Sequence, residues 1–258
     1  MSTKIALPDS LNFLTQHLHL HHPFLVKLGG FKDGSYVADY FAVRRTTLLL
    51  SGGVGSNVRF ESDFHDLNPN VTVILVDPTV SVLRMVARGF YHFLLQNQSG
   101  FRSLGEVFNY KYTRRHATLI KKFLGPQFLV SEILNSRGFQ GMKRTVFVKL
   151  DIEGAEYALL EDLLSLKDLF TGLCIEFHGL DQVGNRSKLE CFLNELQYHI
   201  IHLSINEVCY LQGNFPSVLE VSLMPKGLVG EEMKIPALYP DFLQSSNSLQ
   251  GDLVCFEN

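Results

Sequence analysis

No apolar run in this sequence approaches the roughly 20 residues needed to cross a bilayer, so no membrane-spanning segment and no membrane partner is expected. Positive charge is not in excess either. The 23 Lys and Arg face 26 Asp and Glu, for a net charge of −3 and a pI of about 6.4. That balance gives no excess of positive charge pointing to nucleic acid or an anionic membrane. Cysteine is sparse, and the four present (Cys174, Cys191, Cys209, Cys255) have no CxxC spacing. This argues against a metal or redox motif; they read as buried free thiols in a reducing, cytoplasmic compartment. The opening stretch MSTKIALPDS lacks the apolar core of a secretory leader, so none is expected. Internal repeats and low-complexity blocks are missing too. What is present is a chain of 258 residues, 46% of them hydrophobic, which suits one α/β domain with a small extension.

The chain is organised around Thr46 to Glu61, TTLLLSGGVGSNVRFE. An apolar run, Thr46 to Leu50, reads as a buried strand. It enters Ser51-Gly52-Gly53-Val54-Gly55-Ser56-Asn57, and a helical pattern carrying Phe60, Phe64 and Leu67 follows. A strand, a glycine turn and a helix in that order let backbone approach a ligand at a helix N-terminus. Before this stretch, Pro8-Asp9-Ser10 reads as a helix start capped by Asp9 or Ser10. His17, His19, His21 and His22 straddle the end of that helix as partly exposed histidines. Phe24 to Leu28 and Ser35 to Ala38 read as a hairpin around the Asp33-Gly34 turn.

Downstream, strands are expected at 71–76, 145–150, 173–177 and 218–224, with an antiparallel pair formed by 198–204 and 208–211. Helices are expected at 80–95, from 154 to 166 and at 188–197. Residues 96–141 are less legible, with short strands expected at 107–112 and 127–130, a helical fragment from Ser131, and a basic patch (Lys111, Arg114, Arg115, Lys121, Lys122) read as a solvated face. Strands alternating with helices imply an α/β fold with a mainly parallel sheet, helices on both faces and a C-terminal antiparallel strand pair. Ligands bind beyond the carboxyl ends of such strands. Four strands end there in Ser51-Gly52-Gly53, in Asp77, in Asp151 with Glu153, and in Glu176 with His178.

The glycine turn departs from the dinucleotide fingerprint, because G-x-G-x-x-G begun at Gly53 places Val58 at the third glycine. Asp77 stands 24 residues beyond Gly53, near the ~20 residues after which a carboxylate grips a ribose diol. Taken alone, Asp77 also reads as a cap before Pro78.

The combination SGGVGSNVRFE, VILVDPT, VKLDIEGAEYALLEDLL and CIEFHG resembles the FkbM-type methyltransferases. The segment from Asp151 to Glu156 is its most specific piece, and FKDGSYV, Phe31 to Val37, also resembles a segment of that family. The resemblance covers roughly Lys27 to Met224. It implies a Rossmann-like class I methyltransferase fold, S-adenosylmethionine (SAM) as cofactor, and methylation of a hydroxyl on a small molecule or sugar. It implies that Gly53 and Gly55 line the cofactor, that Asp77 holds its ribose, and that Asp151 with Glu153 sits beside the transferred methyl. Ser51 stands where many methyltransferases carry an acidic residue for the SAM ammonium, and Glu61 is the substitute within reach; its plain reading is a solvent-facing helix residue.

The cofactor set is therefore Ser51, Gly52, Gly53, Gly55, Asn57, Glu61, Asp77, Pro78 and Asp151, and the catalytic set Asp151, His178 and Glu153. Asp151 and His178 are the candidate general bases. Asp151, Glu176 and His178 are also a set able to gather a divalent ion, but no metal ligand is assigned. The expected division is an N-terminal helix and hairpin cap over 1–45, a SAM-binding domain over 46–225 and a C-terminal extension over 226–258. Two other readings stand beside this one: an NAD-dependent oxidoreductase, and a SAM-binding module without turnover.

Overall fold

The computed structural model of the chain describes residues 8–19, 22, 24–30, 35–55, 57–80, 115–205 and 216–228. A hairpin pairs β1 (Leu25–Leu28) with β2 (Tyr36–Asp39). The main sheet holds β3 (Leu48–Gly52), β4 (Thr72–Val76), β5 (Ala117–Ile120), β6 (Val146–Leu150), β7 (Phe170–Phe177), β8 (Tyr198–Ile205) and β9 (Leu219–Pro225). Its order is β5-β4-β3-β6-β7-β9-β8, with every neighbouring pair parallel except those made by β9. Five helices complete the described frame: α1 (Tyr40–Arg45), α2 (Arg59–Leu67), α3 (Val130–Ser136), α4 (Leu160–Ser165) and α5 (Val183–Leu196).

The central strands are apolar along their length because both faces of the sheet are covered. Leu48 and Leu50 of β3 enter one core with α3, α4 and α5 residues, including Ile133, Leu163 and Phe192. Leu49, between them, enters a second core on the opposite face with Val43 of α1 and Phe60 and Phe64 of α2. The period of two along one strand thus supplies both layers. Val26, Leu28, Tyr36 and Ala38 of the hairpin belong to this second core. This three-layer arrangement, with one reversed strand next to the edge, is the Rossmann-like class I methyltransferase fold.

The strands expected from sequence at β3, β4, β6, β7 and β9 are present, and several local readings need correction. Tyr198–Ile205 pairs with Leu219–Pro225; the partner expected for it, 208–211, lies outside the described residues. So do the strand expected at 107–112, and the helix expected at 80–95 beyond Val80. Residues 127–130 make only an isolated Gly125–Phe128 bridge before α3 begins. The strand beyond β4 is Ala117–Ile120 instead. The first helix is a 3-10 helix, Asp9–His17, whose N-cap is Pro8 with no side-chain capping bond. His22 is buried and bonded to Asp39 Oδ2 at 2.6 Å, while Asp39 Oδ1 caps α1 by accepting from Ala42 N at 2.5 Å. Cys174 is buried as expected, but Cys191 is exposed. Among the described residues no helix is long and apolar enough to cross a membrane.

Candidate functional site

The chain runs from β3 outward to β4 and β5, then returns to start β6 on the other side of β3. At such a switch the connections leave in opposite directions and open a crevice beyond the strand ends. A cavity of about 550 Å³ lies there, within the roughly 300–1,000 Å³ of small-molecule sites. Of the residues expected to form the site, Gly53, Gly55, Asn57, Asp77, Pro78, Asp151 and Glu153 line it. Ser51, Gly52, Glu61 and His178 are not among its lining residues.

Gly53 is fixed by its surroundings. Its φ is +71°, and a Cβ there would fall 1.6 Å from the Asp151 carbonyl oxygen, so only glycine fits. Its N–H donates to Val76 O at 3.1 Å, and its carbonyl accepts from Lys149 Nζ at 3.2 Å. Gly55, also at positive φ (+56°), differs: a Cβ there would meet nothing within 4 Å, so its backbone faces open space.

Asp77 braces this turn. Its Oδ2 accepts from Gly55 N at 2.6 Å, and its Oδ1 accepts from both Thr79 N and Thr79 Oγ1 at 2.6 Å. A carboxylate has about four acceptor positions, which leaves one on Oδ2. These bonds close the turn at Thr79 and hold Gly55, and room for one further donor remains.

Glu61 is not solvent-facing. It lies 1% exposed under the turn, its Oε1 accepts from Ser51 Oγ at 2.5 Å, and its Oε2 has no hydrogen-bond partner. Burial raises its carboxyl above the usual range, against the opposing pull of the Lys149 charge and the Ser51 bond. Ser51 thus orients a buried acid rather than simply replacing one.

The Asp151–Glu156 segment leaves β6 as a tight loop, with Glu153 at φ 55° and Gly154 at φ 98°. Glu156, fully buried, holds the loop shut: its Oε1 accepts from Gly154 N at 3.0 Å and Ile152 N at 3.3 Å. The same oxygen meets His178 Nδ1 at 2.9 Å, while its Oε2 has no partner. Burial by itself would lower the His178 pKa. The Glu156 hydrogen bond and charge, then Glu176 and Glu153, outweigh burial and raise it to about 9. The surrounding carboxylates thus favour the protonated form of the ring.

Asp151 accepts from the Tyr36 hydroxyl at 3.1 Å and lies 3.6 Å from the Lys149 ammonium. The same hydroxyl is 3.4 Å from Glu176 Oε2. Burial first, and the adjacent Asp151 charge second, push Glu176 up to about 8. Tyr36 and Lys149 were not read from the sequence as site residues. Lys149 carried a signal, a lone cation inside the apolar run TVFVKL, since a buried lysine requires a partner. Tyr36 carried none, because the fold alone brings it 115 positions along the chain to Asp151. Asp151, Glu153 and His178 offer ligand atoms within 4.8 Å of one another.

No family model matches the chain, and no curated protein matches its sequence. Several solved structures overlap it. One is a precorrin-6y C5,15-methyltransferase from Geobacter metallireducens, with 13% identity over 72% of this chain and 85% of that one and a TM-score of 0.36. Another is human methyltransferase 10 domain containing protein, with 11% identity over 70% of this chain and 72% of that one and a TM-score of 0.39. A third is an O-methyltransferase family protein from Burkholderia thailandensis, with 11% identity over 72% of this chain and 53% of that one and a TM-score of 0.35. Overlaps this loose add no weight to an assignment; the fold rests on the strand order above.

Proposed function

We propose that the protein is a SAM-dependent methyltransferase acting on a hydroxyl of a small molecule or sugar, as the resemblance to FkbM-type enzymes implies. One observation carries the reading: the cavity at the β3–β6 switch joins an open glycine backbone, the Asp77 carboxylate and Asp151 in one wall. The residues present fit the cofactor. Gly55 leaves space for its approach, and Asp77 keeps one acceptor position for a ribose hydroxyl. The oxidoreductase reading is weaker, because Val58 is fully buried where the dinucleotide fingerprint needs a close-packing glycine.

When bound, SAM supplies an activated methyl group on a positively charged sulfur. The chain's part is alignment, which can supply roughly 7–11 kcal/mol of a barrier. The welded Gly53–Asp151 junction fixes the cavity floor, and Glu156 fixes the loop bearing Asp151 and Glu153. Asp151 is the residue on the wall able to accept the hydroxyl proton, with Tyr36 and Lys149 holding its carboxylate in place; such a base contributes about 10²–10⁴-fold. His178 and Glu153 stand beside it.

Calorimetry with SAM, S-adenosylhomocysteine and NAD tests this reading. The expected result is binding of the first two and not the third, weakened about tenfold or more in Asp77→Ala, the loss of a charged-group hydrogen bond. Binding of NAD alone overturns it.

A further inference from the structure

We propose that Asp151, Glu153 and His178 form a divalent-cation site at the edge of the cavity, with Glu156 as the buried residue that orients it. The three side chains come from two strand tips that the fold sets side by side, β6 and β7. They offer two carboxylate oxygens and an imidazole nitrogen, all within 4.8 Å. His178 Nε2 and Glu153 Oε2 are 3.7 Å apart. Two donors each roughly 2.2 Å from one ion stand about 3 to 4.4 Å apart, so this spacing fits a shared ion.

A second observation is independent of the cluster. Metal-bound histidines hand their other ring nitrogen to a carboxylate, which fixes the ring. Here Glu156 does this through Oε1 at 2.9 Å from Nδ1, leaving Nε2 toward Glu153, where a bound ion would take the place of the Nε2 proton. Glu156, whose Oε1 meets the His178 ring, is 0% exposed, and its Oε2 is buried without a partner. A buried carboxylate with an orphan oxygen is costly unless positive charge is added nearby, and an ion on the far side of the ring adds it. The sequence pointed to Glu176 as the third ligand. The structure turns Glu176 toward Tyr36 and brings Glu153 in its place.

Two carboxylates and one imidazole suit a first-row ion such as Mn²⁺. Three protein ligands leave coordination positions open, and because Asp151 and Glu153 both line the cavity, those positions face it. They would take neighbouring oxygens of a bound diol or catechol-like molecule. The site does not depend on the methyltransferase reading.

The test is titration of Mn²⁺ alone into the full chain after chelator treatment, with free Mn²⁺ followed by electron paramagnetic resonance. One saturable equivalent is expected, weakened about tenfold or more in Glu153→Gln and in His178→Gln, as for loss of ligand support elsewhere. The Glu153 side chain is 87% exposed, so its variant keeps the fold even if that of His178 does not. No saturable binding, or equal binding in Glu153→Gln and the wild type, overturns the proposal. SAM calorimetry in chelator reads the cofactor cavity separately. Mn²⁺ binding without SAM binding sustains this site while defeating the proposed function, and the reverse result defeats this site alone.

Discussion

Gly53 shows how one residue sets the site. Its missing Cβ lets the turn lie against the Asp151 backbone, and the added atom in Gly53→Ala would sit 1.6 Å from a carbonyl oxygen. Backbone cannot rotate away as a side chain can, and a positive φ adds strain. Gly53→Ala is expected to lose about 3 kcal/mol or more of stability in chemical denaturation. Gly55→Ala, with open space around it, is expected to lose less, since only its φ of +56° resists. Gly53 was legible in the sequence because the chemistry of a βα turn is local. Glu61 was misread because an acid on a short helix looks solvated, yet Glu61 lies three positions before Phe64 and shares its buried face. Nothing local marks Tyr36 as a partner of Asp151.

At the scale of elements, the apolar runs that became β3, β4 and β6 were readable because buried parallel strands announce themselves. β5 is an edge strand of four residues, Ala117–Ile120, none of them fully buried, and so it has little pattern to read. The pairing of β8 with β9 was not legible because hairpin logic favours the nearest run, while the fold inserts β9 between β7 and β8. The helical layer formed by α2 is held to the sheet through Phe147 of β6, whose ring meets Phe64 at 5.2 Å and Phe60 at 6.5 Å. Phe147→Ala is expected to cost about 3–5 kcal/mol, read as a lowered denaturation midpoint with an unchanged slope. A loss below about 1 kcal/mol would mean that α2 is anchored elsewhere.

For the whole molecule, three histidines with lowered pKa values weigh against the fold on the acid side. Burial, first among the causes, lowers the pKa of His17, His65 and His199; for His199 the neighbouring His19 and Lys226 add to it. A group whose folded pKa is depressed takes up its proton more readily when unfolded. Their contribution is therefore complete above the ordinary histidine value of about 6.5 and is lost as pH drops below it, opposite in sign to that of His178 and Glu176, whose folded pKa values are raised. Between about pH 7 and pH 5 the thermal midpoint of the wild type is expected to fall relative to that of His199→Gln. A midpoint that instead rises relative to that variant would contradict the sign.

The central claim is that the crevice between β3 and β6 receives the nucleoside of SAM. A crystal structure of the protein grown with S-adenosylhomocysteine tests it most directly. The account predicts the ribose against Asp77 Oδ2 and the amino-acid end over the Gly53–Gly55 backbone. A nucleoside found elsewhere on the protein, with this crevice filled by the chain's own side chains, would contradict it.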